Sequence, residues 1–426
     1  MLMRTRIWHP LAAVVVCALL AVVAPTASAA TDQFADSLWG MQKIRARAAW
    51  AAGTGKGVTV AIIDSGVDPN HEDLAKNIVG GYDVVDKDFD PRDEEGHGTH
   101  VAGIVAAVAN NGLGVAGVAP AAKIMPIRVL DTDGAGSQSD IEDGVHWAVD
   151  HGAQVVNLSL GADVIVEFLS GGTLTDAVNY AWSKGVIPVV SAGNDGLFRS
   201  ELRGAKALVV TATTPDDRIA PYATGVGFAE WGIAAPGGTD DGGEKNMILS
   251  TFWDRTGKRK YAYQMGTSMA APHVAGAAAL LRGMGLSPQQ TVNRLLSTAK
   301  DLGPRGRDST FGAGRLDVKA ATLGQAGATG RPGRPGSSAA GSSATGAPGA
   351  NASGTRGAPG RLPVPIEATT STPSSAPSAA ATGTSTPAER IEESGGILPW
   401  VLLGAGAAGA AAIAGFLLLR HAASRG

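Results

Sequence analysis

The sequence predicts an α/β protein built on a parallel sheet with helices on both faces. Short apolar runs rich in β-branched residues recur at 58–63, 124–130, 155–160, 186–191 and 208–213. Longer segments with helical spacing separate several of them, as at 141–151 and 174–184. Residues suited to chemistry stand just beyond apolar runs, where open parallel sheets build their sites.

Ahead of the first strand, Arg4 and Arg6 precede an apolar run at 11–23 and then Ala27, Ser28 and Ala29. This order is that of a secretory leader, so residues 1–29 are expected to be removed. The run is short for a membrane span. The sole cysteine, Cys17, lies inside it after Val16, so no lipoprotein site is read and the mature chain has no thiol. Without disulfides, an exported protein relies on core burial and bound metal. Residues 30–325 form the expected catalytic domain, roughly 290 residues of globular composition and enough for a large core.

Residues 326–396 change abruptly to Gly, Ser, Ala, Thr and Pro. Such a segment buries too little apolar surface to offset its ordering entropy and reads as a flexible linker. As a coil of about 70 residues it would reach roughly 45 Å. The uncharged stretch 397–419 is long enough to span a bilayer as a helix. Arg420, His421 and Arg425 in the tail, 420–426, favour the cytoplasmic side. The expected topology is single-pass, with the catalytic domain outside the cell. A net charge of −3 and the lack of a basic cluster among aromatics give nucleic-acid binding no support.

Three strings carry the chemistry. VAIIDSGVD (60–68) puts Asp64 at the end of a strand, GHGTHVAG (96–103) puts His97 where a loop enters a helix, and GTSMAAPHVAG (266–276) does the same for Ser268. A serine hydroxyl needs a base within hydrogen-bond reach, and the base needs an orienting group. His97 would take the proton from Ser268 while Asp64 fixes the imidazole. The Ser268 N–H, at a helix N-terminus, suits a developing oxyanion, and Asn194, closing SAGN (191–194), would donate a second hydrogen bond. Asp68 and Asp73 are nearby alternatives to Asp64 but fall in a turn. His100, His146, His151 and His273 lack glycine-rich settings and read as structural. Ser159 and Ser191 lie at strand ends.

Together with WGMQKIRARAAW, NNGLGVAGVAP, VVNLSLG and GAGRLDVKAA, these strings resemble the subtilisin family of serine peptidases, the subtilases, and within it the thermitase-like branch. The resemblance runs from about residue 38 to 321. It implies a three-layer fold on a mostly parallel seven-stranded sheet, and peptide-bond hydrolysis through an acyl-enzyme by Asp64, His97, Ser268 and Asn194. It also implies that substrate backbone pairs beside Ser159, Leu160 and Gly161, with Ala192 and Gly193 lining the pocket for the side chain before the scissile bond. The insertion 162–172, with several apolar residues, would reshape that region.

The resemblance further implies structural calcium. NNGLGV (110–115) matches a family calcium loop, where Asn111 gives its side chain, Ala109, Leu113 and Val115 their carbonyls, and Asp73 a carboxylate. YDVVDKDFD (82–90), with Asp83, Asp86, Asp88 and Asp90, resembles a second loop; a solvated acidic turn is its other reading. Only about nine residues separate the leader from WGMQKI, which leaves no room for a folding-assistant prodomain. Leader, peptidase domain, linker and span together also resemble mycosins, implying a type VII secretion apparatus as partner. Two rival readings are a membrane-tethered scaffold without catalysis, and a protease that releases itself by cutting its own linker.

Overall fold

A computed structural model of the protein describes residues 31–160, 173–194, 202 and 204–324. The leader, Gly161, the insertion, the linker, the span and the tail lie outside the described residues. Among the described residues no helix is long and apolar enough to cross a membrane.

The sheet contains β1 (Thr59–Asp64), β2 (Tyr82–Asp83), β3 (Lys123–Arg128), β4 (Val155–Leu158), β5 (Ile187–Ser191), β6 (Leu208–Thr213) and β7 (Trp231–Pro236). Their order is β2-β3-β1-β4-β5-β6-β7 and all neighbours are parallel. Both faces are covered, which is why the strands read as unbroken apolar runs. In β1, Val60 and Ile62 enter one core while Ala61 and Ile63 enter the other, as the two-residue period of a strand requires. A hairpin of β8 (Ile248–Thr251) and β9 (Tyr261–Gln264) lies apart from this sheet.

After the short α1 (Trp39–Lys43), helices α2 (His97–Ala106), α3 (Gln138–Asp150), α4 (Thr173–Ser183), α5 (Thr267–Gly283), α6 (Pro288–Ser297) and α7 (Val318–Leu323) complete the fold. α5 packs against β4, β5, β6 and β7, and α3 packs against α4. α5 is buried from Thr267 to Leu281, and its many alanines let it lie close on its neighbours.

The fold class agrees with the expectation. The apolar runs at 58–63, 124–130, 155–160, 186–191 and 208–213 became β1, β3, β4, β5 and β6, and the segments at 141–151 and 174–184 became α3 and α4. Two sheet strands escaped the apolar pattern. β2 has two residues, and β7 is WGIAAP, whose glycine and proline hide a strand at the sheet edge.

Candidate active site

Asp64 ends β1 and is fully buried. His97 opens α2, and its Nδ1 lies 2.7 Å from Asp64 Oδ1. Gly98 permits this contact: a Cβ there would lie 2.1 Å from the Gly66 carbonyl oxygen. Gly96 enters the helix at φ +114°, where a Cβ would stand 2.5 Å from the Trp253 carbonyl oxygen. Burial disfavours a charged His97, but the Asp64 carboxylate, with Glu95 and Asp93, outweighs burial and holds its pKa above the ordinary 6.5.

Ser268 is the second residue of α5 and almost wholly buried. α5 packs against α2, so the nucleophile candidate and the base candidate stand on touching helices. Among the described residues no hydrogen bond joins the Ser268 hydroxyl to His97. Pro272, inside α5, has no N–H to give the carbonyl four residues back, which is that of Ser268. Ser159 Oγ donates to that carbonyl at 2.9 Å, and Asn157 Nδ2 donates to Ser159 Oγ at 2.9 Å.

The Asn194 side chain is anchored by its oxygen, which accepts from Thr267 N and Thr267 Oγ1, each at 2.9 Å. Its Nδ2 faces away from that anchor. A Cβ at Gly266 would lie 3.4 Å from Asn194 Nδ2 and 3.5 Å from Ser268 N. Two donors therefore flank one small open space beside the serine.

Ser159, Leu160 and Ala192 are buried. Ser191 Oγ donates to the Leu160 carbonyl at 3.3 Å, and Gly193 N donates to Thr267 Oγ1 at 3.1 Å. The alternatives to the acid and base are engaged elsewhere. The Asp68 carboxylate accepts from Asn70 N, and Asp73 is buried against the 110–115 loop. His100 and His273 are buried on main-chain carbonyls, and burial lowers them to about 3 and about 4. His146 packs at a tilt against Tyr180, and His151 stacks on Trp147.

The profile of the subtilase family matches residues 55–314. The chain belongs to the subtilase family. Thermitase from Thermoactinomyces vulgaris is 40% identical over 290 residues, covering 68% of this chain and 96% of that one. The thermophilic serine proteinase of Bacillus sp. (strain AK1) is 41% identical over 282 residues, 66% of this chain and 65% of that one. Subtilisin Savinase of Lederbergia lenta is 40% identical over 290 residues, 67% and 98% respectively. A solved protease from Pseudoalteromonas arctica PAMC 21717 superposes with a TM-score of 0.60 at 33% identity, covering 70% of this chain and all of that one. The protein is a subtilisin-like serine endopeptidase with a thermitase-like catalytic domain.

The two loops of this subtilase that suggested calcium differ. Around 110–115, Asp73 Oδ1 accepts from Asn111 Nδ2 at 2.6 Å and Oδ2 from Val115 N at 2.8 Å, while Asn111 Oδ1 accepts from Leu113 N at 2.8 Å. Asp32, buried as well, accepts from Asn111 N at 3.0 Å. Burial raises the Asp73 carboxyl, and no ion pair offsets that among the described residues. Asp32 is charge-paired, its Oδ2 accepting from Arg47 Nη2 at 2.9 Å, so the donor set that suits a hard cation is the Asp73 carboxylate, the Asn111 amide and main-chain carbonyls.

The acidic loop 82–90 meets a counter-charge supplied by the protein itself. Asp83 and Asp86 share the Arg128 guanidinium, while Asp88 and Asp90 are engaged within the loop. β2 pairs Asp83 with Arg128 across the sheet, and the nearly buried Arg128 side chain supplies the positive charge itself. Arg128 Nη1 donates to Asp83 Oδ2 at 2.7 Å and Asp86 Oδ2 at 2.6 Å, and Nη2 to Glu94 at 2.9 Å. Asp90 pairs with Arg92, and Asp88 accepts from Asp90 N. Among the described residues no group of three or more His, Cys, Asp or Glu side chains is arranged to hold a metal.

Sequence reasoning missed Thr267, which orients Asn194, and Asp93, which lies behind the His97 loop. Their signals were faint: a threonine directly before the serine, and an aspartate four residues before the histidine.

Proposed function

We propose that this subtilase cleaves polypeptides with Ser268 as nucleophile, His97 as general base and acid, and Asp64 as the group that orients the imidazole and balances its charge. The 2.7 Å contact between Asp64 and His97 is the observation that carries the assignment. Ser268 Oγ attacks the scissile carbonyl as His97 takes its proton, and His97 then gives that proton to the leaving amine. The space flanked by Asn194 Nδ2 and Ser268 N receives the oxyanion. Water deacylates the serine by the same relay. Main chain at Ser159, Leu160 and Gly161 pairs with the substrate strand, and Ala192 with Gly193 borders the side-chain pocket.

Calcium is a structural ion in this reading, held by Asp73, Asn111 and the carbonyls of Ala109, Leu113 and Val115. When bound, it would neutralise the buried carboxylate and brace the loop. The domain is exported by the leader 1–29 and tethered outside the cell through the linker 326–396 and the span 397–419, which puts its substrates at or beyond the membrane surface. The experiment is hydrolysis of an unstructured protein by the full chain in calcium. Turnover that disappears in Ser268→Ala supports the assignment; turnover retained in that variant overturns it.

A further inference from the structure

Asp93 is a buried carboxylate that the reaction steps above do not use. It is 1% exposed and accepts hydrogen bonds on both oxygens. Oδ1 accepts from Ser65 Oγ at 2.9 Å, Glu95 N at 3.0 Å and Gly96 N at 2.7 Å. Oδ2 accepts from Thr99 N at 2.8 Å and Thr99 Oγ1 at 2.5 Å. These donors belong to two separate pieces of chain. Ser65 directly follows Asp64, while Glu95, Gly96 and Thr99 surround His97. Ser65 closes the loop a second time: its Oγ accepts from Gly98 N at 2.9 Å, and its N–H donates to Asp64 Oδ1 at 2.8 Å.

We propose that Asp93 is a positioning residue for catalysis: it locks the end of β1 onto the first turn of α2, so that Asp64 and His97 stay in hydrogen-bond contact through the reaction. This rests on the reading of Asp64 and His97 as acid and base. A neutral serine or asparagine would suffice to cap a helix. An ionised group is an expensive choice here, since Asp93 has no cationic partner among the described residues. Burial pushes its carboxyl up to about 6 against the pull of its donors. The folded value exceeds the unfolded one, so ionisation of Asp93 opposes folding as pH rises through that value. The charge is kept where it also acts on His97, whose protonated form it favours.

The other titratable groups around His97 are Asp64 on β1, Glu95 in the entering loop and His100 on α2, and His273 on α5 acts in turn on His100. The β8–β9 hairpin brings Phe252 and the Trp253 main chain against Gly96. His100 and His273 are held neutral, so removal of the Asp93 charge would be felt through His97 itself.

The test uses the full chain in calcium, a chromogenic peptide amide, and fluorophosphonate titration to count competent sites. Asp93→Asn is expected to lower kcat by roughly 10- to 100-fold with KM changed less than about threefold, as displaced reacting groups do. It should also move the acid limb of kcat/KM to lower pH. Ser65→Ala, which cuts the bridge and leaves the charge, should lower kcat by about 3- to 10-fold without moving that limb. The two changes together should cost less than the product of the single losses. A folded Asp93→Asn enzyme with the wild-type acid limb and kcat within about twofold overturns the proposal. So does an Asp93→Asn loss accounted for by fewer titratable sites, provided Ser65→Ala is fully active. Turnover surviving Ser268→Ala would instead sink the triad reading beneath it.

Discussion

Ser159 Oγ donates a hydrogen bond to the Ser268 carbonyl at 2.9 Å, filling a vacancy that Pro272 creates in the helix ladder. The strand end and the first turn of α5 are thereby one unit, and Ser268 is fixed from below. Replacing Ser159 with alanine leaves a buried carbonyl unpaired, which costs about 1–3 kcal/mol. Ser159→Ala is expected to unfold at lower denaturant concentration and to lose roughly tenfold in kcat. Urea titration and steady-state kinetics on the same preparation check both.

The pH profile follows from His97. Its pKa is raised in the fold, and the reaction needs the neutral imidazole, so kcat/KM should climb with pH through a value above 6.5. The pair contributes to stability below the unfolded pKa and loses that contribution as pH rises through the folded one. Asp64→Asn should move the acid limb to lower pH and reduce kcat by about 10⁴-fold, the loss known for this change in another serine peptidase fold. Rate measurements from pH 5 to about pH 10 read the limb directly.

Asn194 bears its donor toward the space beside Ser268 because Thr267 holds its oxygen. Asn194→Ala should lower kcat by about 10²- to 10³-fold with little change in KM, the loss known for removal of the oxyanion asparagine in subtilisin itself. Thr267→Val, which removes the side-chain anchor, should give a smaller loss of the same kind. Comparing kcat and KM for the two variants separates this from weakened binding.

Calcium removal should destabilise the domain through the 110–115 loop. A ligand at 100 times its Kd contributes about 2.7 kcal/mol, so chelation should lower the Tm clearly. Asp73→Asn should start lower and respond little to chelator. Differential scanning calorimetry with and without calcium shows either pattern.

The acidic loop makes the opposite prediction. Arg128→Gln strands the buried Asp83 carboxylate, and breaking a buried pair costs about 3–5 kcal/mol. Added calcium should leave a Tm gap between wild type and Arg128→Gln, because the guanidinium is the partner these carboxylates were built around.

Much of the fold and the site is legible in the chain because local strings dictate it. The run V-A-I-I before Asp64 can only be a buried strand, and the glycines around His97 allow it to meet Asp64. What stays hidden depends on residues far apart in sequence. Arg128 lies 42 positions beyond Asp86 yet decides what the acidic loop is for. Ser159 reads as a substrate contact, but its side chain is spent on Ser268, 109 positions away. Asp93 gives no periodic signal, since most of its partners are main-chain N–H groups, and every residue except proline has one. β7 is masked by composition, as glycine, alanine and proline do not announce a strand.

The triad assignment is tested most directly by treating the full chain with a fluorophosphonate and mapping the adduct by mass spectrometry, with His97→Ala as comparison. One adduct is expected, on Ser268, formed rapidly in wild type and slowed by orders of magnitude without His97. No adduct on Ser268 in folded, calcium-loaded protein, or labelling indifferent to His97, would contradict the assignment.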